Sequence, residues 1–197
     1  MTNEIVLFPG HIHYNPEYLV ARNMLYRALS LRAAWHQQTL TIAGRPVKTP
    51  RLTAWYGDPE AVYRYSGVTV KPLPWLPELR TLAQQLSEEL GFEFNSVLLN
   101  WYRDENDSVA WHADDEPELG KEPLIASISL GEERLFRLKP KDKRDKRRYD
   151  INLESGSLLV MSGELQSYWL HSVPKSKYPC GGRINLTFRK IVSSGSR

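Results

Sequence analysis

The chain has 197 residues, 41% hydrophobic and 25% charged, with a formal net charge of +3. That balance excludes a disordered chain and predicts one soluble globular domain with a sizeable core. Cys180 is the only cysteine, which excludes a disulfide framework and a multi-thiolate zinc site within the chain; any metal must be held by carboxylates and by His11, His13, His36, His112 or His171. The lone thiol suits a reducing compartment, so a cytoplasmic location is expected, or a nuclear one in a eukaryote. Apolar runs fall short of the ~20 residues that span a bilayer, and Met1–Val6 shows no basic stretch before an apolar core. Neither a membrane span nor a secretory signal is expected.

In chain order, Asn15-Pro16 offers an N-cap followed by proline at the first helical position, and Tyr18 to Leu29 carries apolar residues at helical spacings. A second helix is predicted from Pro74 or Pro77, with Leu76, Leu79, Leu82, Ala83, Leu86 and Leu90 on one face and Gly91 as the stop. The pattern then changes. Phe94–Tyr102, Leu124–Leu130, Glu133–Leu138, Tyr149–Leu153, Ser157–Met161 and Arg183–Ile191 are rich in β-branched and aromatic residues and are separated by Gly, Pro, Asp and Ser, which predicts strands. Helices followed by a run of strands imply an α+β fold, here a two-sheet jelly roll with the N-terminal helices packed on one face. One domain is expected over 1–192, divided at about residue 95 into helices and lid, then core, with 193–197 as a disordered tail. Between two of these strands Lys139–Arg148 forms a cationic run; it suits phosphate binding, and a solvated hairpin tip would read the same way.

His112-Ala-Asp114 follows the predicted strand ending at Tyr102. In extended backbone two side chains two positions apart point the same way and can grip one ion. His171, beside the strand ending at Met161, is the candidate third ligand. Two histidines and one carboxylate leave open positions for an oxoacid and dioxygen, the arrangement of non-haem Fe(II) oxygenases. A His-x-Asp alone is weak evidence, because surface pairs show it too. Near the C-terminus, Arg183, Asn185, Thr187 and Arg189 alternate with Ile184, Leu186 and Phe188, which puts two guanidiniums on one face of a strand. A dicarboxylate such as 2-oxoglutarate needs a cationic anchor for the carboxylate that does not chelate iron, and arginine supplies a bidentate one. An amphipathic edge strand with solvated arginines would show the same alternation.

Taken together, Asn100-Trp-Tyr102, His112-Ala-Asp114-Asp115-Glu116, Gly156-Ser157, His171-Ser172-Val-Pro174 and Arg183-Ile-Asn185-Leu-Thr-Phe-Arg189 resemble the AlkB family of nucleic-acid dealkylating dioxygenases, nearest the branch with the animal DNA-repair homologues. The match runs from about Pro50 to Ile191. The resemblance implies a jelly-roll core, Fe(II), 2-oxoglutarate and O2. It places iron on His112, Asp114 and His171, and 2-oxoglutarate against Asn100, Tyr102, Arg183, Asn185 and Arg189, with Arg183 on the distal carboxylate and Arg189 near the iron end. It also implies a lid, Thr49–Asp58 and Tyr63–Gly67, in which Tyr65 stacks on a flipped base, Tyr63 hydrogen-bonds nearby and Glu116 accepts from an exocyclic amine. Core packing is the plainer role for those tyrosines, as it is for Trp111 and Trp169.

The activity implied is oxidative demethylation of 1-methyladenine and 3-methylcytosine in DNA. Such lesions pair poorly and flip out at low cost. Arg45, Lys48, Arg51 and Lys139–Arg148 are candidates to hold the phosphates. Demethylation of RNA, oxidation of a protein or small molecule, and a non-catalytic nucleic-acid-binding module are the alternatives. Ile42–Pro46 is the segment that could wedge into a duplex, though it lacks a bulky aromatic tip. Asp104–Ser108 departs from many relatives in having no glycine. A monomer is expected.

Overall fold

A computed structural model describes residues 3–42, 44–65 and 68–192. The expected tail at 193–197 lies outside them. Strands β1 (Asn3–Val6) and β2 (His11–Asn15) lead to helix α1 (Arg22–Arg32). Strands β3 (Thr39–Ile42), β4 (Arg45–Lys48), β5 (Leu52–Gly57), β6 (Tyr63–Tyr65) and β7 (Val68–Val70) precede α2 (Pro77–Leu90). Then come β8 (Ser96–Tyr102), β9 (Val109–His112), β10 (Ile125–Gly131), β11 (Arg134–Pro140), β12 (Tyr149–Leu153) and β13 (Leu158–Ser162). A single-turn helix α3 (Leu165–Tyr168) introduces β14 (Trp169–Val173), and β15 (Arg183–Arg189) ends the core.

Two sheets result. The larger runs β1-β2-β13-β10-β15-β8-β5 and the smaller β12-β11-β14-β9, while β3–β4 and β6–β7 form separate hairpins. Neighbours in both sheets pair antiparallel. This is the expected jelly roll with helices on one face. The six expected strands all form, Tyr149–Leu153 with its expected bounds and the others with ends shifted by at most two residues. The helix expected from Asn15 instead starts at Arg22. Asn15 ends β2, paired with Leu158, and its Oδ1 accepts the Glu17 N–H at 3.1 Å, so its capping oxygen closes a turn. Helix α2 has Pro77 in its first turn and Gly91 at its end in left-handed backbone, φ 60°.

Strand alternation decides what each face of the large sheet meets. One face carries Ala54, Tyr56, Val97, Leu99, Ile128, Leu130, Ile184, Leu186 and Phe188, packed with Leu29 of α1 and Leu79, Leu82 and Leu86 of α2. Burying each large aliphatic or aromatic chain there contributes about 1.5–3 kcal/mol. On the other face, Ile12, Tyr14, Leu159 and Met161 meet Phe136, Leu138, Ile151, Leu153, Trp169 and Val173 of the small sheet. Where β5, β8 and β15 face the small sheet, polar side chains replace apolar ones and the sheets part around a cavity of about 500 Å³.

Candidate metal centre and oxoacid pocket

Strands β9 and β14 are neighbours, and their pairing sets His112 opposite His171. The two rings lie 4.2 Å apart between centroids. Asp114 follows just past the end of β9. One ligand atom from each of His112, Asp114 and His171 lies within 4.8 Å of the others, close enough to share one ion. His112 Nδ1 is 2.8 Å from the Ala110 carbonyl; as the donor it leaves Nε2 for a metal. His171 is buried and stacks on Phe136 at 5.3 Å.

Burial alone would raise the Asp114 carboxyl pKa. The Arg189 guanidinium, with His171 and His112, outweighs it and holds the pKa at about 2. Burial, reinforced by His112, pushes His171 down to about 3. At neutral pH the carboxylate is therefore ionised and His171 neutral, the states that bind a divalent cation.

The polar face of β15 enters the same cavity. Arg189 Nη2 donates to Asp114 Oδ2 at 2.9 Å, which places this arginine at the metal end. Asn185 Nδ2 donates to Ser127 Oγ at 2.7 Å, and Thr187 Oγ1 donates to Asn185 Oδ1 at 2.8 Å. Arg183 is 1% exposed, lies over the Tyr102 ring at 5.3 Å and donates from Nη2 to Ser129 Oγ at 2.9 Å. Its Nε and Nη1 are buried with no partner among the described residues. Burial lowers its pKa to about 10, so it is still a cation at neutral pH. A buried guanidinium with two unmatched donors is costly unless an anion completes it. A 2-oxoglutarate with its oxoacid end at the metal and its distal carboxylate on Arg183 fits this donor set.

Asn100, Tyr102, Arg51 and Glu116 also line the cavity. Arg51 Nε donates to Asn100 Oδ1 at 2.8 Å, so this arginine, expected among the phosphate contacts, points inward at the pocket wall. Glu116 Oε2 is buried without a partner among the described residues. Tyr63 and Tyr65 stand at the two ends of β6, paired with Val70 and Val68; their side chains lie outside what the structure describes. Ile42–Pro46 is the turn of the β3–β4 hairpin, with Ala43 outside the described residues. Trp169 is packed in the core as expected. Trp111 is instead 37% exposed, with Lys139 over its ring at 4.3 Å. Within the cationic run Asp142 pairs with Arg144 and Asp145 with Arg147, while Lys141 reaches Asp115; Lys143, Lys146 and Arg148 stand outside these pairs.

Four supporting residues lie outside the motifs that the sequence shows. Gln166 Oε1 accepts the Asp114 N–H at 3.0 Å. Arg134, 3% exposed, donates to the carbonyls of Asp104, Asp107 and Pro174 and fixes the glycine-free loop. Ser129 and Ser127 hold Arg183 and Asn185. The alternation of serines in β10 with Ala126, Ile128 and Leu130 was the one available hint for the last pair.

Comparison with known proteins agrees with this geometry. A sequence profile of the 2OG-Fe(II) oxygenase superfamily matches residues 11–189. The chain belongs to that superfamily. Its relatives set this oxygenase in the AlkB family. Human alpha-ketoglutarate-dependent dioxygenase alkB homolog 3 is 40% identical over 197 residues, covering 96% of this chain and 66% of that protein. Bovine DNA oxidative demethylase ALKBH2 is 40% identical over 162 residues, covering 79% of this chain and 58% of that protein. The oxygenase thus spans 66% and 58% of the length of these two relatives, under two thirds of each. The solved structure of OsALKBH1 superposes with a TM-score of 0.65 at 20% identity, covering 95% of this chain and 100% of that one, and supports the fold. The family uses Fe(II), 2-oxoglutarate and O2, and the ligand triad and the unmatched Arg183 donors fit the first two. Among the described residues no helix is long and apolar enough to cross a membrane.

Proposed function

We propose that this oxygenase oxidatively demethylates alkylated bases in DNA, with 1-methyladenine and 3-methylcytosine as substrates and formaldehyde as the released product. The observation that carries the reading is a single cavity of about 500 Å³ whose wall includes the His112, Asp114, His171 triad and the Arg183 anchor together with Glu116, Trp55, Leu40 and Val70. The name of the bovine relative, a DNA oxidative demethylase, supports the substrate and the reaction, and that of the human relative supports the dioxygenase chemistry.

Bound Fe(II) supplies the oxidative chemistry, in which 2-oxoglutarate and O2 become succinate and CO2 and the methyl group is hydroxylated and lost as formaldehyde. The chain supplies position and charge. Arg183 grips the distal carboxylate of 2-oxoglutarate, and Tyr102, beneath the guanidinium, helps define that end of the pocket. Arg189 neutralises Asp114 and keeps it ionised for the metal. Asn100, braced by Arg51, and Asn185, braced by Ser127, fix polar groups between the two ends. Glu116 offers a buried acceptor to the exocyclic amine of the lesion and favours a cationic base over a neutral one. Tyr65 stacks on the base, worth about 1–3 kcal/mol, and Tyr63 hydrogen-bonds beside it. Arg45, Lys48, Lys143, Lys146 and Arg148 hold phosphates without reading sequence. The enzyme works as a monomer in the cytoplasm, or in the nucleus of a eukaryote.

The test is formaldehyde release from an oligonucleotide carrying one 1-methyladenine, with Fe(II), ascorbate and 2-oxoglutarate, beside a His112→Ala control. Release that vanishes in the control supports the proposal, and single-stranded, duplex and RNA versions rank the substrates. Slow consumption of 2-oxoglutarate without formaldehyde from any of them removes nucleic-acid demethylation and leaves a protein or small molecule as substrate. No consumption by iron-loaded protein favours a binding module.

A further inference from the structure

The metal triad is split between two chain segments. His112 and Asp114 lie at the end of β9, and His171 lies in β14, more than fifty residues later. Strand pairing fixes the two histidines relative to each other. Asp114 lies beyond the pairing, so something else must fix its backbone. Gln166 is 1% exposed in α3, the turn that feeds directly into β14. Its Oε1 accepts the Asp114 N–H at 3.0 Å, and its Nε2 faces Met161 Sδ at 3.5 Å, a weak acceptor. The strong bond of this buried amide is thus directed to the ligand segment. A second tie between neighbouring segments exists at the surface, where Lys141 Nζ meets Asp115 Oδ2 at 2.7 Å, but both side chains are substantially exposed and such pairs contribute little.

We propose that Gln166 is a positioning residue for the metal. It clamps the Asp114 backbone to the element that carries His171, so that the carboxylate is presented at the bite the two histidines require. Partners that orient ligands in this way typically change metal affinity 10–100-fold when removed. The proposal rests on the reading of His112, Asp114 and His171 as ligands. Failure of that reading shows as a native chain that binds no divalent metal; failure of this proposal shows as a variant that binds like the native chain.

The experiment is anaerobic titration of the full chain with Mn(II), the visible spectrum of its Co(II) form, and thermal melting of the metal-free protein. Gln166→Met keeps the volume and deletes the acceptor; Gln166→Asn keeps the amide but withdraws it by one methylene; Gln166→Glu keeps an acceptor in place. Expected are a rise in the Mn(II) Kd of about 10–100-fold for Gln166→Met, with an altered Co(II) spectrum, a partial loss for Gln166→Asn, and recovery to within about threefold for Gln166→Glu. Lys141→Ala should stay within about twofold. Native affinity and spectrum in Gln166→Met overturn the proposal. So does an affinity that merely follows the melting temperature across the series, or, should Gln166→Met not fold, equal affinity in the Asn and Glu variants.

Discussion

Replacing Arg183 by Met tests the anchor directly. Methionine approximates the length of the arginine stem and brings no charge into a site that is 1% exposed. In the native chain Nε and Nη1 are buried and unmatched, so a bound carboxylate gains two charge-assisted hydrogen bonds and also relieves their desolvation. Each such bond is worth about 1.5–3 kcal/mol. Allowing for non-additivity, their joint loss should cost about 3 kcal/mol, a rise in Kd of about 10²-fold. The assay is calorimetric titration of Mn(II)-loaded protein without O2, using 2-oxoglutarate and 2-oxobutyrate, which lacks the distal carboxylate. The native chain should prefer the diacid by about 10²-fold, and Arg183→Met should lose nearly all of that preference while binding 2-oxobutyrate as before. Folding stability should hold or rise, because an uncompensated buried cation has been removed. A variant that still prefers 2-oxoglutarate as strongly as the native chain would refute the assignment of Arg183 to the distal carboxylate.

Acid sensitivity should trace in part to Asp107. Burial raises its pKa, but hydrogen bonds from the Arg103 side chain and backbone outweigh that and hold it below 3.8. A depressed folded-state pKa gives stability that is present above 3.8 and lost as pH falls through the lower folded value. Asp107→Asn should therefore cost about 1–3 kcal/mol at pH 7 in urea unfolding and flatten the acid limb; an unchanged acid limb would exclude this carboxylate as a source. Gly131 sits at φ 89°, where an added Cβ would collide with the Gly182 carbonyl and the Tyr26 ring. Gly131→Ala should lower stability by about 2 kcal/mol or more, read as a fall in melting temperature, and a neutral result would mean that the turn yields. Changing Lys143, Lys146 and Arg148 to Ser should weaken single-stranded oligonucleotide binding and reduce the slope of log K against log salt by roughly 2, about 0.7 for each phosphate no longer neutralised; an unchanged slope would place the phosphates elsewhere.

The parts of the fold that the sequence revealed are those where one residue pattern has one physical cause. Period-2 alternation in Arg183–Arg189 names both faces of β15, because a central strand must bury its apolar side. Leu79, Leu82, Ala83 and Leu86 likewise name the buried stripe of α2. The residues around Asn15 do not locate the start of α1, because Asn15 can satisfy a turn as readily as a helix and only the pairing of β2 with β13 decides which. Strands β2 and β14 leave little trace in the sequence because His11–Asn15 and Trp169–Val173 are short and mixed, held by their neighbours rather than by their own preference. The ligand residues were legible through motif; Gln166 and Arg134 were not, since a buried amide or guanidinium announces itself only when its distant partners are known. Arg51 shows the same limit, a basic residue that reads as a surface contact and turns inward to Asn100.

The division of β15 between two environments also penalises any other alignment of the strand. A slip of one residue would turn Arg183, Asn185, Thr187 and Arg189 into the apolar layer under the helices and expose Ile184, Leu186 and Phe188 to the cavity. Both guanidiniums would lose the polar partners they have in the cavity, at several kcal/mol each, a cost comparable with the marginal stability of a domain. The misaligned core is therefore much less stable than the native one, and a molecule that has buried its core in the native register has, by the same alignment, assembled its arginine pair.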